Sequence, residues 1–283
     1  VLSFPRDLWV TIAGRSSKQR INVAYDRDNP QKLIDTIYQN FGITTDHFVQ
    51  VDFCAFKTLV NAVDGVAVPF EAPVRDVATG LNVPQAGCFT FDGDHALAYV
   101  RSRKLQTFTE EGEWVTDPTS DLGRISRQQD FLRRTVSRLL SKGAFNPDVA
   151  GGLIETSSEY IVTDPSLTPR KMLEFAGVMS RVDPTQITTY QVEAQGKIIQ
   201  GNSVLVPTIE GDNMQAILAI FRGQAILGDV IEQVFETTVP DTDEPSLATP
   251  DPDDAPAAVT TLPTVQADEN DKGVVPDDTI ICN

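Results

Sequence analysis

The chain has 283 residues, of which 41% are hydrophobic, enough to bury the core of one large domain or two small ones. It carries 40 acidic and 23 basic residues, for a formal net charge of −17. Such a body repels the phosphates of nucleic acids at long range, which argues against a general nucleic-acid binder. No apolar run reaches the roughly 18 residues of a membrane-spanning helix, and no signal peptide is visible.

The N-terminal part is predicted to place two short strands before a helix. Leu2–Phe4 and Leu8–Ile12 have the composition of strands, and Pro5 between them prevents one continuous central strand. Apolar residues at helical spacing then predict a helix that starts at Pro30 and ends before Gly42.

The middle of the chain continues this alternation. Asp52 is predicted to cap a second helix that ends near Gly65. Val66–Phe70 and Cys88–Phe91 are predicted strands, and Asp92 is predicted to start a short helical turn.

The C-terminal half adds helices and a hairpin. Helices are predicted over Asn146–Thr163, Thr168–Met179 and Asn213–Arg222, and a hairpin is predicted around Gln200–Asn202. Because helices and strands alternate, the sequence predicts an α/β fold with α-β-α layers and a central mixed β-sheet.

Arginines are concentrated at the two ends of one stretch, Tyr99–Gln129. An irregular polar segment, Lys104–Ser120, separates a short arginine-containing segment from the start of a helix. Arginine keeps its charge and binds phosphate through two parallel hydrogen bonds. A local arginine cluster on an acidic body therefore predicts a site for a small anionic group, and we interpret it as a diphosphate site. The side chains concerned are Arg101, Arg103, Asp121, Arg124, Arg127 and Gln128.

The helix that closes this stretch is predicted to begin at Asp121, a good N-cap residue. Arg124, Arg127 and Gln128 then share one face of its first two turns. A helix N-terminus attracts anions, and a cation placed there slightly destabilises the isolated helix. Arginines at this end break that local rule, which indicates a bound anion. The alternative is that Asp121 only caps the helix and the arginines only solvate its surface.

Four motifs, in order, resemble the LytR-CpsA-Psr family. Two are Asp-Gly-Asp-His-Ala-Leu-Ala-Tyr-Val-Arg-Ser-Arg at 92–103 and Asp-x-x-Arg-x-x-Arg-Gln-Gln at 121–129. The other two lie upstream: Leu-Ser-Phe-Pro-Arg-Asp at 2–7 and Arg-Ile-Asn-Val-Ala-Tyr at 20–25, where the family has Lys in place of Arg20. The resemblance covers about Val1 to Gly223. Within the family, the chain is similar to members from actinobacteria.

The resemblance implies a phosphotransferase that moves a glycopolymer from a polyprenyl-pyrophosphate carrier onto peptidoglycan and releases polyprenyl phosphate. By motif match, the family's catalytic positions fall on Arg101, Arg103, Asp121 and Arg124. The implied substrate-binding positions are Arg6, Asp7, Arg20, Arg127 and Gln128. Asp121 has two open roles, orienting an arginine or accepting a proton from the attacking hydroxyl.

The same resemblance implies Mg²⁺, an apolar tunnel for the isoprenoid chain, and an extracytoplasmic protein anchored to the membrane. The family's metal-binding aspartates lie mostly upstream of its Pro-Arg-Asp element, so the metal ligands, like the anchor and the first strands, are expected before Val1. The helices whose apolar faces run through Leu33–Phe41 and Phe53–Val63 would serve either as core or as tunnel wall.

Three cysteines are present: Cys54, Cys88 and Cys282. They are free thiols if the protein is cytosolic, whereas an extracytoplasmic protein can form a disulfide. The resemblance to actinobacterial members implies a Cys54–Cys88 disulfide, with Cys282 left over.

The composition changes near Pro240, after which Pro, Asp, Thr and Ala dominate and no aromatic residue occurs. Such a segment cannot bury enough apolar surface to offset its ordering entropy. We therefore expect a catalytic domain over residues 1–224, a terminal helix or linker over 225–239, and a disordered acidic tail over 240–283.

Three functional hypotheses follow: the phosphotransferase, a non-catalytic regulator that binds polyprenyl lipid or glycan, and a polyprenyl-pyrophosphate hydrolase. His47 and His95 are isolated from other His or Cys residues, which argues against a zinc site. The Gly-rich nucleotide-binding motifs and the Gly-x-Ser-x-Gly motif of hydrolases are absent from the sequence.

Overall fold

The computed structural model describes residues 1–143, 161–228 and 262–277, together with 280 and 282. The chain divides into two units, which are Val1–Ile209 with Glu269–Asn283, and Glu210–Asp268. The first unit contains the predicted site.

The helices of the first unit, within the described residues, are α1 (Gln31–Phe41), α2 (Phe53–Ala62), α3 (Gly93–Arg101), α4 (Asp121–Ser141) and α5 (Pro169–Met179). Its strands are β1 (Leu2–Ser3), β2 (Trp9–Thr11), β3 (Lys18–Arg20), β4 (Val49–Val51), β5 (Val66–Phe70), β6 (Val74–Asp76), β7 (Leu81–Val83), β8 (Gly87–Phe91), β9 (Gln106–Phe108), β10 (Trp114–Thr116), β11 (Ile161–Thr163), β12 (Tyr190–Gln191), β13 (Ala194–Ile199) and β14 (Asn202–Pro207). Short 3-10 turns lie at Ile21–Ala24 and Pro184–Gln186.

Parallel and antiparallel pairs both occur. β1 pairs with β12 in parallel, and a parallel bridge joins Leu8 to Leu205. Four strands form an antiparallel sheet in the order β10-β9-β6-β7, and the pairs β2–β3, β4–β11, β5–β8 and β13–β14 are also antiparallel. The predicted α/β class is therefore confirmed.

Several predicted helix ends are confirmed by their capping geometry. Gly42 ends α1 in the left-handed region, at φ 70°, where glycine has no Cβ to clash. The Asp52 side chain accepts a hydrogen bond from the backbone N–H of Ala55 at 2.8 Å and so caps α2. The helical turn predicted after Asp92 is the full helix α3. The Asp92 carboxylate caps this helix by accepting hydrogen bonds from its first backbone N–H groups.

Two predicted segments of the first unit differ from the structure in their secondary structure. The segment Lys104–Ser120, predicted to be irregular, contains the hairpin of β9 and β10. Three-residue strands such as these are too short to show a two-residue period in the sequence. The predicted helix Asn146–Thr163 lies mostly outside the described residues, and its last three residues form β11.

One buried apolar cluster joins β5 and β8 to the helices that carry the arginines. It includes Phe91 of β8, Tyr99 of α3 and Phe131 of α4. The rings of Tyr99 and Phe131 lie 6.3 Å apart, so the end of α3 packs beside the first half of α4. This packing brings both ends of the arginine-rich stretch together.

A buried glutamine fixes the start of α4 against the β1–β12 pair. The Gln129 amide nitrogen donates to the Ser3 hydroxyl at 2.9 Å and to the Tyr190 backbone oxygen at 2.7 Å. Buried polar groups need such partners, so this contact specifies the position of the helix. The Pro-Arg-Asp element at residues 5–7 follows β1 after one residue, and Arg6 and Asp7 interact electrostatically with Arg124 of α4.

The second unit contains β15 (Ile226–Leu227), β16 (Thr264–Val265) and α6 (Asp212–Phe221). β15 pairs in parallel with β16. The helix predicted over Asn213–Arg222 is confirmed as α6. In the part of the chain that the structure describes, no helix has both the length and the apolar character to cross a bilayer.

The C-terminal segment differs from the disordered tail expected over 240–283. Residues 262–277 are ordered, and residues 269–277 contribute polar partners to the first unit. Asn270 and the Gln191 backbone exchange two hydrogen bonds, and the Lys272 backbone N–H donates to the Ser126 hydroxyl at 2.8 Å. These contacts satisfy buried polar groups, an effect that composition does not reveal. Residues 229–261, which include most of the expected linker and tail, lie outside the described residues.

The predicted disulfide is wrong. Cys88 is bonded to Cys282, with their Cα atoms 5.7 Å apart, and Cys54 is a free, exposed thiol in the first turn of α2. Three cysteines allow any pair, and the sequence spacing did not identify this one. The bond closes a loop with a sequence separation of 194 residues, for which the chain-entropy account gives about 5 kcal/mol of stabilisation.

Candidate functional site

Asp121 joins two arginines from the two ends of the arginine-rich stretch. One Asp121 carboxylate oxygen lies 2.8 Å from Arg103 Nε and 3.0 Å from Arg124 Nη2. Asp121 is the first residue of α4 and not its N-cap, since Ser120 holds that position, at φ 50° and without a side-chain cap. The Asp121 carboxylate therefore contacts guanidinium groups instead of capping the helix.

Asp7 brings together a second pair of arginines. Arg6 Nε and Arg20 Nε each lie 3.6 Å from one Asp7 carboxylate oxygen. Arg20 also donates from Nη2 to the Ser203 backbone oxygen at 2.8 Å, which fixes its direction. The motif-based prediction had placed all three residues at the site.

The two groups influence one another electrostatically. Burial lowers the pKa of the Arg124 guanidinium, Asp121 and Asp7 oppose this, and the positive charges of Arg103 and Arg6 add to it. We call the six residues Arg6, Asp7, Arg20, Arg103, Asp121 and Arg124 the arginine cluster. Four guanidinium groups and two carboxylates leave two net positive charges.

Several donor atoms of the arginine cluster are buried without a hydrogen-bond acceptor among the described residues: Arg20 Nε, Arg103 Nη2 and Arg124 Nε. Buried polar atoms without partners are costly and call for an explanation such as a ligand. A polyanion with several oxygen atoms would satisfy these donors and neutralise the excess charge.

Arg127, which the motif match predicted to bind substrate, is not part of this cluster. Its side chain is 0% exposed and forms an ion pair at 2.8 Å with Asp117, whose side chain is 1% exposed. The same guanidinium donates to the backbone oxygens of Ser102 and Val274. A Cβ at Gly123 would lie 2.6 Å from the Asp117 carboxylate. Because glycine has no Cβ, α4 can approach this ion pair closely.

Arg101 and Gln128 lie beside the arginine cluster in different ways. The Arg101 guanidinium lies over the Phe53 ring at 4.8 Å, and Arg101 lines an open cavity of about 360 Å³ together with Asp94 and His95. Gln128 is exposed, and its amide nitrogen donates to the Val100 backbone oxygen at 2.9 Å. The structure therefore brings Arg103 and Arg124 together and turns Arg101 toward a neighbouring surface.

Asp76 was missed by the sequence analysis, although it supports the same region. Its carboxylate, 1% exposed, accepts hydrogen bonds from Ser102, Arg103 and Lys104. The pair Arg75-Asp76 resembles a family element, which was the available signal. Arg75 itself donates to Gln106 and lies over the Trp114 ring, so it has a packing role.

These observations define an α/β protein with an arginine-lined site suited to a polyanion. The model of the LytR_cpsA_psr family matches residues 1–220. Since the match covers well over half of the chain, the chain belongs to this family, as its motifs predicted.

The chain is similar to curated proteins of cell-wall assembly. It is 29% identical over 190 residues to TagU of Halalkalibacterium halodurans, a polyisoprenyl-teichoic acid–peptidoglycan teichoic acid transferase, covering 66% of this chain and 58% of that protein. It is 32% identical over 148 residues to the probable cell wall biosynthesis protein LcpB of Corynebacterium glutamicum, covering 52% and 32%. The chain thus spans less than two thirds of the length of these curated relatives.

The fold has a counterpart among solved structures. The LytR-Csp2A-Psr enzyme from Actinomyces oris is 26% identical, with a TM-score of 0.61 over 78% of this chain and 79% of that one. This similarity agrees with the α/β class and with the family.

Proposed function

We propose that this protein is a phosphotransferase that moves a glycopolymer from a polyprenyl-pyrophosphate carrier onto peptidoglycan. The observation that carries the proposal is the arginine cluster, in which Arg103 and Arg124 meet at one Asp121 oxygen. The names of relatives such as TagU supply the substrate class, a polyisoprenyl-linked polymer and peptidoglycan.

The chemistry needs a positively charged site that is fixed before the substrate arrives. In the transfer, an acceptor hydroxyl oxygen forms a bond to the phosphorus that carries the glycan, and its proton passes to the solvent. The bond from that phosphorus to the bridging oxygen breaks, and polyprenyl phosphate leaves with the bridging electrons. Negative charge grows on the leaving phosphate, and guanidinium groups already in position stabilise it more strongly than the ground state.

We assign Arg103 and Arg124 to the diphosphate, where their charge acts on the leaving phosphate. Asp121 lies between them, which supports the orienting role that the sequence left open. Arg6 and Arg20, paired with Asp7, are assigned to substrate binding. We propose that Arg101 and the exposed Gln128 contact the substrate beside the cluster, Arg101 from the cavity that it lines.

Family membership is consistent with a divalent metal, and we propose that transfer requires Mg²⁺. Within the described ranges, no group of three or more His, Cys, Asp or Glu side chains could hold a metal ion. Asp7 and Asp121 each contact two arginines instead. The carboxylates of the arginine cluster are thus engaged by guanidinium groups, and no step of the transfer is assigned to the metal.

The location follows from the same substrates. Lipid-linked glycan and peptidoglycan meet at the outer side of the cell membrane, so we propose an extracytoplasmic protein anchored to that membrane. The Cys88–Cys282 disulfide supports this compartment, because such bonds persist in oxidising surroundings.

The test is transfer in solution. The full protein is incubated with lipid-linked glycan, MgCl₂ and peptidoglycan, and products are followed by mass spectrometry. Glycan bound to peptidoglycan through a phosphodiester, with release of polyprenyl phosphate, is the expected result. Free glycan phosphate alone would indicate a hydrolase, and binding without turnover would indicate a non-catalytic regulator, so either result contradicts the proposal.

A matched arginine variant controls for the loss of surface charge. Arg170 lies on α5, and its side chain is 90% exposed and pairs with Glu174 one turn further along the same helix. Arg170→Ala should transfer glycan at the wild-type rate, whereas Arg103→Ala should lose transfer. Equal loss in both variants would mean that net charge, and not the arginine cluster, determines activity.

A further inference from the structure

We propose that Asp76 is a positioning residue for Arg103, and that together with Arg127 it fixes the backbone turn that presents Arg103 to the diphosphate. This inference rests on the proposed function and adds to it the device that keeps one catalytic arginine in place. The turn consists of residues 102–104, directly after α3.

Asp76 lies at the end of β6 and holds the turn through its hydrogen-bond donors. A single carboxylate oxygen, Oδ2, accepts from the Ser102 hydroxyl at 2.7 Å, the Arg103 N–H at 3.1 Å and the Lys104 N–H at 2.9 Å. The other oxygen accepts from the Ala78 N–H at 2.9 Å. A carboxylate is well suited here, since it only accepts and its charge strengthens each bond.

Arg127 holds the acceptor side of the same turn. Its Nη2 donates to the Ser102 backbone oxygen at 2.9 Å, while its Nη1 donates to Asp117 at 2.8 Å. The buried Asp76 carboxylate thus holds the hydrogen-bond donors of the turn, and the buried Arg127 guanidinium holds the Ser102 backbone oxygen, its acceptor. Rotation of the Arg103 backbone would break contacts on both sides.

The consequence for chemistry is a fixed starting point for the Arg103 side chain. Arg103 Nε lies 2.8 Å from the Asp121 carboxylate, at a distance set by the end of α3 and the start of α4. Catalytic groups must be held closely, since misplacement by about 1 Å costs up to about 100-fold in rate.

The protonation of Asp76 agrees with this role. Burial alone would raise its pKa, but the hydrogen bonds from Ser102, Lys104, Ala78 and Arg103 outweigh burial and lower it. The carboxylate therefore stays charged at neutral pH and accepts all four bonds.

The test uses Asp76→Asn in the full protein, with farnesyl diphosphate as a soluble probe in calorimetric titration. In this variant, the new side-chain oxygen can still accept from the turn, but the side-chain NH₂ group then faces the Ala78 N–H, so two donors meet. The negative charge is also lost. We expect about tenfold weaker binding of the probe, and up to about a 100-fold fall in the kcat of transfer with a smaller change in KM. Ser102→Ala removes one of the bonds and should give a smaller effect in the same direction.

Asp164→Asn is the matched control. Asp164 also accepts backbone bonds in a turn, from Phe48, Ser166 and Leu167, but that turn carries no residue of the arginine cluster. Both Asn variants should lower the unfolding midpoint, whereas only Asp76→Asn should weaken probe binding and lower kcat. Unchanged binding and kcat in Asp76→Asn, or equal losses in both variants, would overturn the inference.

A double-mutant cycle decides whether Asp76 acts through Arg103. If it does, Asp76→Asn should weaken probe binding much less in an Arg103→Ala background than in the wild type. Additive losses would contradict the positioning role. A wild-type protein that binds no farnesyl diphosphate would instead count against the proposed function, so the two failures remain distinct.

Discussion

Arg124 and Arg127 lie one helical turn apart on α4, and the structure gives them opposite surroundings. Arg124 is 16% exposed and shares Asp121 with Arg103 in a region of excess positive charge. Arg127 is fully buried and has its own carboxylate, Asp117, and two backbone acceptors. Both keep a buried Nε without an acceptor among the described residues, so they differ in how the charge of each guanidinium is matched by carboxylates.

The comparison teaches that partners, and not residue type or helix position, decide what an arginine does. A guanidinium matched one-to-one with a buried carboxylate cannot be removed without leaving a buried charge alone, and it has little charge left for a ligand. A guanidinium that shares its carboxylate with another arginine retains charge for an anion. Variants of the two residues should therefore fail in different assays.

The largest expected effect is on stability, in Arg127→Ala. This change leaves the Asp117 carboxylate buried without its partner, which typically costs about 3–5 kcal/mol of unfolding free energy. Urea denaturation followed by circular dichroism measures the loss. A loss below about 1 kcal/mol would mean that Arg127 is not structural, and the comparison would fail.

A paired replacement sharpens this prediction. Replacing Arg127 by Met and Asp117 by Leu removes both charges, so no buried charge is left alone, and much of the lost stability should return. The Ser102 and Val274 backbone oxygens still lose a donor, so recovery should be incomplete.

The second effect is on activity, in Arg124→Ala. By analogy with the loss of a preorganised donor at an oxyanion, transfer should fall by about 100- to 1,000-fold. The unfolding free energy should change far less than in Arg127→Ala, because Asp121 keeps its contact with Arg103. Rates come from the glycan transfer assay, with Arg170→Ala as the charge-matched control. Full activity in Arg124→Ala would remove the arginine cluster from the mechanism.

The sequence could predict members of the arginine cluster because its motifs specify them, whereas the shared helical face predicted for Arg124, Arg127 and Gln128 did not identify the cluster. Arg103, Asp121 and Arg124 follow from the motifs. The fate of Arg127 could not be predicted, because it depends on the Asp117–Thr119 turn reaching α4 across Gly123. Spacing along a helix does not show which face another segment covers.

Asp76 and the C-terminal segment illustrate the same limit at longer range. Asp76 contacts Arg103 across 27 residues, and the Arg127 contact with Val274 spans 147. Neither is visible in local composition, which classes residues 262–277 as low in apolar surface. Residues 269–277 are ordered in part because they satisfy buried polar groups of the first unit, to which they belong. The helices and the longer strands were mostly predictable because their caps and periods are local, whereas three-residue strands such as β9 and β10 were not.

A smaller effect is expected in Arg101→Ala, which tests where the arginine cluster ends. Arg101 lies over Phe53 and lines the neighbouring cavity, apart from the ion pairs at Asp121. An arginine that contacts the substrate beside the diphosphate should contribute about tenfold to transfer, less than Arg124. Kinetics at several substrate concentrations would show the loss mainly in KM. A fall as deep as that of Arg124→Ala would place Arg101 on the reacting phosphate.

The smallest effect is on the pH dependence of stability, which tests the carboxylate partner of Arg127. Burial alone would raise the pKa of Asp117, but hydrogen bonds from Thr119 and Arg127 outweigh burial and lower it. A carboxyl with a lowered folded-state pKa stabilises the protein above its unfolded value, near 3.9, and loses this contribution as the pH falls toward the folded value. Urea midpoints between pH 6 and pH 3 should therefore fall less steeply in Asp117→Asn than in the wild type. Parallel curves would show that Asp117 does not couple its charge to folding, and the buried pair would lose its place in the comparison.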